Sequence, residues 1–141
     1  MNSNKYYNFA KNELFPICRS ITGKGTEQTL KKIQRFFPKL KIYKIKSGTK
    51  IFDWKIPEEW NIKNAYVIDK YQNKIIDFKK NNLHIMGYSQ PFKGIVKKNE
   101  LFKHLHTLPK QKNAIPYVTS YYKKNWGFCV AYEDIKKNFK S

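Results

Sequence analysis

The stretch SGTKIFDWKIPEEWNIKNAYVID, from Ser47 to Asp69, constrains the fold of this chain more than any other. It holds two of the three tryptophans, Trp54 and Trp60, and gathers Ile51, Phe52, Ile56, Ile62, Tyr66, Val67 and Ile68 around them. Elsewhere lysine interrupts almost every apolar run. An aromatic side chain buries roughly 150–250 Å², so this cluster is expected to supply much of a small core. A length of 141 residues suits one domain, and an aromatic content of 16% favours a folded chain over a disordered one.

The flanking patterns predict short elements. Tyr6, Phe9, Ala10 and Leu14 recur at helical spacing and predict a helix over 4–13, ending before Pro16. The run PICRSITGKG is a loop by its glycines and hydroxyl residues. Thr26 is the expected N-cap of a second helix, with Glu27 in its first turn and Pro38 as its stop. Beyond Pro38 the period drops to two: Leu40, Ile42, Tyr43 and Ile45 predict a half-buried strand. Further strands are expected over 50–54, 64–69, 74–78, 81–89, 92–96, 114–122 and 126–132. A short helix or turn is expected over 100–108, and a terminal helix over 133–139. The expected fold class is α+β: two N-terminal helices followed by a β-rich, mostly antiparallel module.

The net charge of +19 raises the question of a polyanionic partner. It comes from 27 lysines and only two arginines, Arg19 and Arg35, scattered in ones and twos. Base and phosphate readers lean on arginine's rigid fork, so no specific nucleic-acid partner is expected; a solvated lysine surface with weak polyanion affinity is. No run approaches the roughly 18–20 apolar residues of a membrane span, and MNSNKYYNFAKNE has no signal-peptide core. With two cysteines, Cys18 and Cys129, at most one disulfide is possible. The expected location is cytoplasmic.

No complete catalytic set emerges. His104 and His106 share a face only in a strand, and in the expected helix or turn they diverge. No HExxH motif accompanies them. His84 falls on the same strand face as Met86 and Tyr88, as a hydrogen-bonded strand histidine or a catalytic one. Both cysteines are read first as small buried hydrophobes; of the two, Cys18, beside Arg19, is the better thiolate candidate. Gly23-Lys24-Gly25-Thr26 lacks the spacing of a phosphate loop. In YVTSYYKKNW, Tyr117–Trp126, aromatics alternate with lysines, which suits stacking on bases or sugars as well as packing in a core.

Five segments in order carry a family resemblance: LFPICRSITGKG, SGTKIFDWKIPEEWNI, NNLHIMGYSQP, HLHTLP and AIPYVTSYYKKNWGFC. Together they resemble the N-terminal part of a bacterial family of zinc aminopeptidase-like proteins, often labelled polysaccharide-biosynthesis proteins. The resemblance covers roughly residues 10–132. It implies that 1–38 are the first helices of an exopeptidase-type domain. Residues 39–112 would be an inserted β-rich domain of unknown function, and 113–141 a return segment toward the catalytic body. That body carries its zinc ligands in a Cys-His-Pro and an Ala-Asn-Asp segment, and neither tripeptide occurs in this sequence. No catalytic or metal-binding residue and no cofactor is therefore assigned to this chain, with zinc expected in full-length members.

The implied role is a non-catalytic portion of such a protein that shapes substrate access or domain contacts. Its implied partner is a separate or missing catalytic domain, with a peptide or glycan as ligand. Arg19, Ser20, Thr22, His84, Tyr121, Tyr122 and Trp126 are the candidate cleft-facing or interface residues; Arg19 would anchor a substrate carboxylate. Alternatively these residues fix loop and interface geometry. The rival reading is a stand-alone basic module that binds an acidic glycan or other polyanion.

Overall fold

The computed structural model describes residues 3–139 and shows a mixed α+β chain in two compact units, 3–62 and 63–139. Met1, Asn2, Lys140 and Ser141, at the ends of the expected first and last segments, lie outside the described residues.

The first unit begins with α1 (Ser3–Phe9), which runs into a π-helical turn over Ala10–Leu14. Phe15 N–H closes that turn on the Ala10 carbonyl at 2.9 Å, and Pro16 ends the helical path. The second helix, α2 (Lys24–Gln34), starts two residues before the expected cap. Its first N–H, on Lys24, is taken by Asn61 Oδ1 at 2.7 Å, so the cap comes from far along the chain. Thr26 instead donates its hydroxyl to the Ser20 carbonyl. Phe36 receives the Phe9 ring at 4.3 Å between centroids and the Tyr6 ring at 5.9 Å. Glu13 Oε2 accepts from Lys32 at 2.9 Å and Arg35 at 3.1 Å, which ties the π-turn to α2.

The strand expected after Pro38 does not form. Residues 40–45 run without a partner strand, and Tyr43 and Ile45 stay exposed. Alternation encodes a two-faced strand, but only a neighbour with free N–H and C=O groups makes it one. The sheet of this unit is the hairpin β1 (Lys50–Ile51) and β2 (Trp54–Lys55), closed by Phe52 and Asp53. Phe52 has a left-handed backbone, φ 54°, and its side chain is fully exposed at 101%.

In the second unit, β3 (Tyr66–Ile68) and β4 (Lys74–Asp77) form the expected hairpin, with a register shift between Val67 and Ile68. Asp69 builds its turn by accepting the N–H groups of Tyr71 at 2.8 Å and Asn73 at 2.9 Å. Helix α3 (Lys98–Lys103) leads into β5 (Leu105–His106), which pairs with β6 (Phe128–Cys129), and α4 (Tyr132–Asn138) follows. The β5–β6 pair is parallel, with β5 lying where a helix or turn was expected, while the other two sheets are antiparallel. The segments 81–89 and 114–122 are not full strands: 82–84 form a 3₁₀ turn, and the rest makes single bridges, Ile85 to Phe128 and Gly87 to Thr119. No strand forms over 92–96.

The module is thus less β-rich than its periodicity implies, and its core lies elsewhere than expected. Ile76, Phe128 and Val130 form the buried cluster, flanked by Ala65, Val67, Ile75, Leu105, Trp126, Ile135 and Phe139. Of the aromatic-rich stretch Ser47–Asp69, Phe52, Trp54, Tyr66 and Ile68 are exposed and none of its named residues is buried. In the first unit Thr29 is the one buried residue among those described.

Candidate functional site

The candidate residues fall into two groups, one in each unit. In the first, the loop between the helices is fixed by close backbone approaches. A Cβ on Gly25 would stand 2.1 Å from the Cys18 carbonyl oxygen, and one on Gly23 would stand 2.2 Å from the Trp60 carbonyl oxygen. Gly23 also has φ +97°, a region L-residues rarely adopt. Thr22 Oγ1 donates to the Glu58 carbonyl at 3.2 Å and accepts the Trp60 N–H at 3.4 Å. Arg19 Nη1 donates to the Leu14 carbonyl at 2.6 Å and to the Ile17 carbonyl at 3.4 Å. Arg19, Ser20 and Thr22 therefore all serve the path of the loop between the π-turn and α2. The glycines, not a phosphate, explain the Gly23–Thr26 sequence.

In the second unit the aromatic and histidine candidates divide into a closed stack and an open ledge. Trp126 lies against His104, with centroids 3.7 Å apart and planes at 12°, and against Phe92 at 4.4 Å and 5°. Two rings so nearly parallel to the indole could not share one face without interpenetrating, so they cover opposite faces. Trp126 has no face left on which a ligand ring could stack. His104 Nδ1 lies 2.8 Å from the Trp126 carbonyl, and since a carbonyl only accepts, that nitrogen carries the proton. Its Nε2 is 3.6 Å from Glu100 Oε1. His84 Nδ1 likewise donates to the Cys129 carbonyl at 2.8 Å.

Tyr88, Tyr121 and Tyr122 form the ledge. Tyr88 meets Tyr121 edge-on at 5.3 Å, and Tyr121 meets Tyr122 edge-on at 4.5 Å. Tyr122 is 88% exposed. Tyr88 holds a left-handed backbone, φ 61°. Nothing in the sequence pattern pointed to Phe92 or His104 as partners of Trp126, because the residues lie 34 and 22 positions away from it.

Burial pushes the Cys129 thiol up to about 11. Burial also raises the Cys18 thiol, with Arg19 opposing it, so a thiolate is not favoured there. His106 Nε2 is buried without a hydrogen-bond partner; burial, and then the charge of His104, lower its pKa. Among the described residues no three His, Cys, Asp or Glu side chains gather to hold a metal ion. The zinc implied by the resemblance has no fitting donor set among the described residues.

A crystal structure described as a "putative peptidase" from Clostridium acetobutylicum is similar to this chain, with a TM-score of 0.89 and 51% identity. The match covers 95% of this chain and 31% of that one. A protein of the same organism, described as "Putative polysaccharide biosynthesis protein with aminopeptidase-like domain", is 57% identical over 116 residues. That alignment takes in 82% of this chain but 26% of the relative, so the chain spans about a quarter to a third of the lengths it matches. The model of a family described as "Domain of unknown function (DUF2172)" matches residues 59–140, more than half of the sequence, and the chain belongs to that family.

Proposed function

We propose that this chain is the N-terminal, non-catalytic portion of an aminopeptidase-like protein, where it shapes substrate access and makes contacts with the catalytic domain. The observation that carries this reading is the partial coverage of relatives named for aminopeptidase-like domains and peptidases, at 57% and 51% identity. Within such a protein, 1–38 would be the first helices of the peptidase-like body, 39–112 the inserted domain and 113–141 the return segment. The zinc expected in the longer protein would be held by residues outside this sequence.

The first unit supports a role in domain contacts. It buries no large apolar side chain among its described residues, while Tyr7, Phe15, Ile21, Phe37, Tyr43 and Ile45 remain more than half exposed. Apolar surface of this kind favours a partner surface over solvent. Arg19, Ser20 and Thr22 would set the geometry of that contact. In the second unit His84 and Trp126 would do the same, while Tyr121 and Tyr122 would face the cleft.

No helix of the described residues is long and apolar enough to cross a membrane. Cys18 and Cys129 are both free thiols, which suits a reducing compartment, and we place the protein in the cytoplasm.

The test is an aminopeptidase assay on the purified chain, with leucine p-nitroanilide and a panel of dipeptides, and with zinc or cobalt added. The expected result is hydrolysis no faster than buffer. Turnover that rises with metal and vanishes with a chelator would overturn the non-catalytic assignment.

A further inference from the structure

The chain also presents a surface whose chemistry does not depend on a peptidase context. Residues 120–125 form a short loop, exposed over 122–125 and clamped on both sides to 87–90. Gly87 N–H donates to the Val118 carbonyl at 2.8 Å, Ser120 N–H to the Gly87 carbonyl at 2.9 Å, and Gln90 N–H to the Asn125 carbonyl at 2.8 Å. Ser120 Oγ reaches the Tyr88 carbonyl at 3.1 Å. The tyrosine ledge sits on this clamp, and Lys123 and Lys124 follow Tyr122 directly, both exposed. Such a clamp fixes the backbone that carries the rings, so a ligand would bear less of the cost of ordering this loop.

Two features favour a particular occupant. Between Asp77 and Glu133 the sequence holds ten lysines and a single carboxylate, Glu100, which is itself 2.8 Å from Lys103. The ledge therefore lies in a stretch of chain nearly empty of negative charge. The tyrosines also offer apolar ring surface next to that charge, and Tyr88 holds a left-handed conformation of a kind concentrated at functional sites. We propose that Tyr88, Tyr121 and Tyr122, with Lys123 and Lys124, bind an anionic saccharide. The apolar face of a sugar ring packs on Tyr122 and Tyr121, while the lysines pair with its carboxylate or phosphate.

A nucleic-acid strand is the less favoured occupant. The second unit contains no arginine, so the bidentate fork used for phosphates and base edges is missing, and the ledge is too short to track a strand.

The inference stands apart from the proposed peptidase association, because its readout is binding by the full chain alone. Titration calorimetry at low salt would use four probes: oligogalacturonate (carboxylate), a phosphomannan oligosaccharide (phosphate), neutral maltohexaose and a dT oligonucleotide. The expected result is binding of one or both anionic sugars and none of maltohexaose. Whichever anionic sugar binds more tightly names the source of the charge. Tyr122→Ala and the double variant Lys123→Ala/Lys124→Ala should each weaken that binding by about tenfold or more. The charge-matched control Lys39→Ala/Lys41→Ala should change it by less than about twofold. Circular dichroism checks that each variant is folded, which the exposure of all these side chains favours. Equal losses in the ledge and control variants would overturn the proposal, as would unchanged affinity in Tyr122→Ala. Tighter Tyr122-dependent binding of the oligonucleotide, or no binding of either anionic sugar, would also overturn it.

Discussion

His104 and Trp126 are coupled twice over: their rings stack 3.7 Å apart, and His104 Nδ1 donates to the carbonyl of the same tryptophan at 2.8 Å. The histidine is thereby a packing residue of β6's approach to the core. With Phe92 on the other face, the indole is enclosed as in a sandwich. His104→Ala is predicted to lose about 1–2 kcal/mol of stability from the stack and the hydrogen bond together. It should also shift Trp126 emission to the red, read in a background with Trp54 and Trp60 changed to phenylalanine. Unchanged emission would contradict the sandwich.

Gly25 is predicted to be intolerant of even the smallest side chain. The obstacle to its Cβ is the backbone carbonyl of Cys18 at 2.1 Å, which no rotamer change can move. Gly25→Ala should therefore destabilise by about 2 kcal/mol or more, measured by urea unfolding. A midpoint equal to wild type would mean that the loop and α2 are not packed as described.

Phe52 and Ile76 should respond in opposite senses. Phe52 has φ 54° and no buried surface, so Phe52→Gly removes left-handed strain without losing packing and is predicted to raise the thermal midpoint slightly. Ile76 is 1% exposed at the centre of the core, and Ile76→Ala should cost about 2–4 kcal/mol. A loss of stability in Phe52→Gly would restore the turn aromatic as a structural anchor.

Those residues also show where the sequence was informative. The β3–β4 hairpin was legible because the whole unit is local: alternation, a turn of Asp69 to Asn73, and alternation again. The helices were legible from apolar spacing and prolines. The core was not, because aromatic density in sequence says nothing about which partners arrive from a distance. Ile76 meets Phe128 and Val130, more than fifty residues later, while Phe52 sits on a turn where nothing reaches it. Likewise Trp126 stood out as a candidate residue, but its two covering rings come from separate segments. The cap of α2 was missed for the same reason, since it is supplied by Asn61. The family was legible from whole segments, which carry the distant partners implicitly.

Stability should fall on acidification in two stages. His106 has a lowered pKa in the fold, chiefly from burial, so its neutral form is the one the fold favours. Its contribution is complete above the ordinary histidine value of about 6.5 and is lost as pH falls through the lower folded value. The carboxylates of Glu13, Glu27, Asp69, Asp77 and Glu100 are also held low, by hydrogen bonds foremost from Lys32, Lys31, Asn73, the Lys79 N–H and Lys103 respectively. Their contribution is present above the ordinary carboxylate value of about 4 and is lost below it. Thermal midpoints measured against pH should begin to decline below about pH 6.5 and steepen below about pH 4. His106→Phe should flatten the upper stage alone; a profile identical to wild type would contradict that assignment.

We propose that this chain works joined to, or bound by, an aminopeptidase-like domain outside these residues. This is tested most directly by purifying the native polypeptide from its own cells with an antibody against this chain, then determining its mass and its companions. The predicted result is a polypeptide several times the 16.9 kDa of this sequence, or this chain bound to a second one bearing an aminopeptidase-like domain. A 16.9 kDa polypeptide that is recovered alone would contradict it.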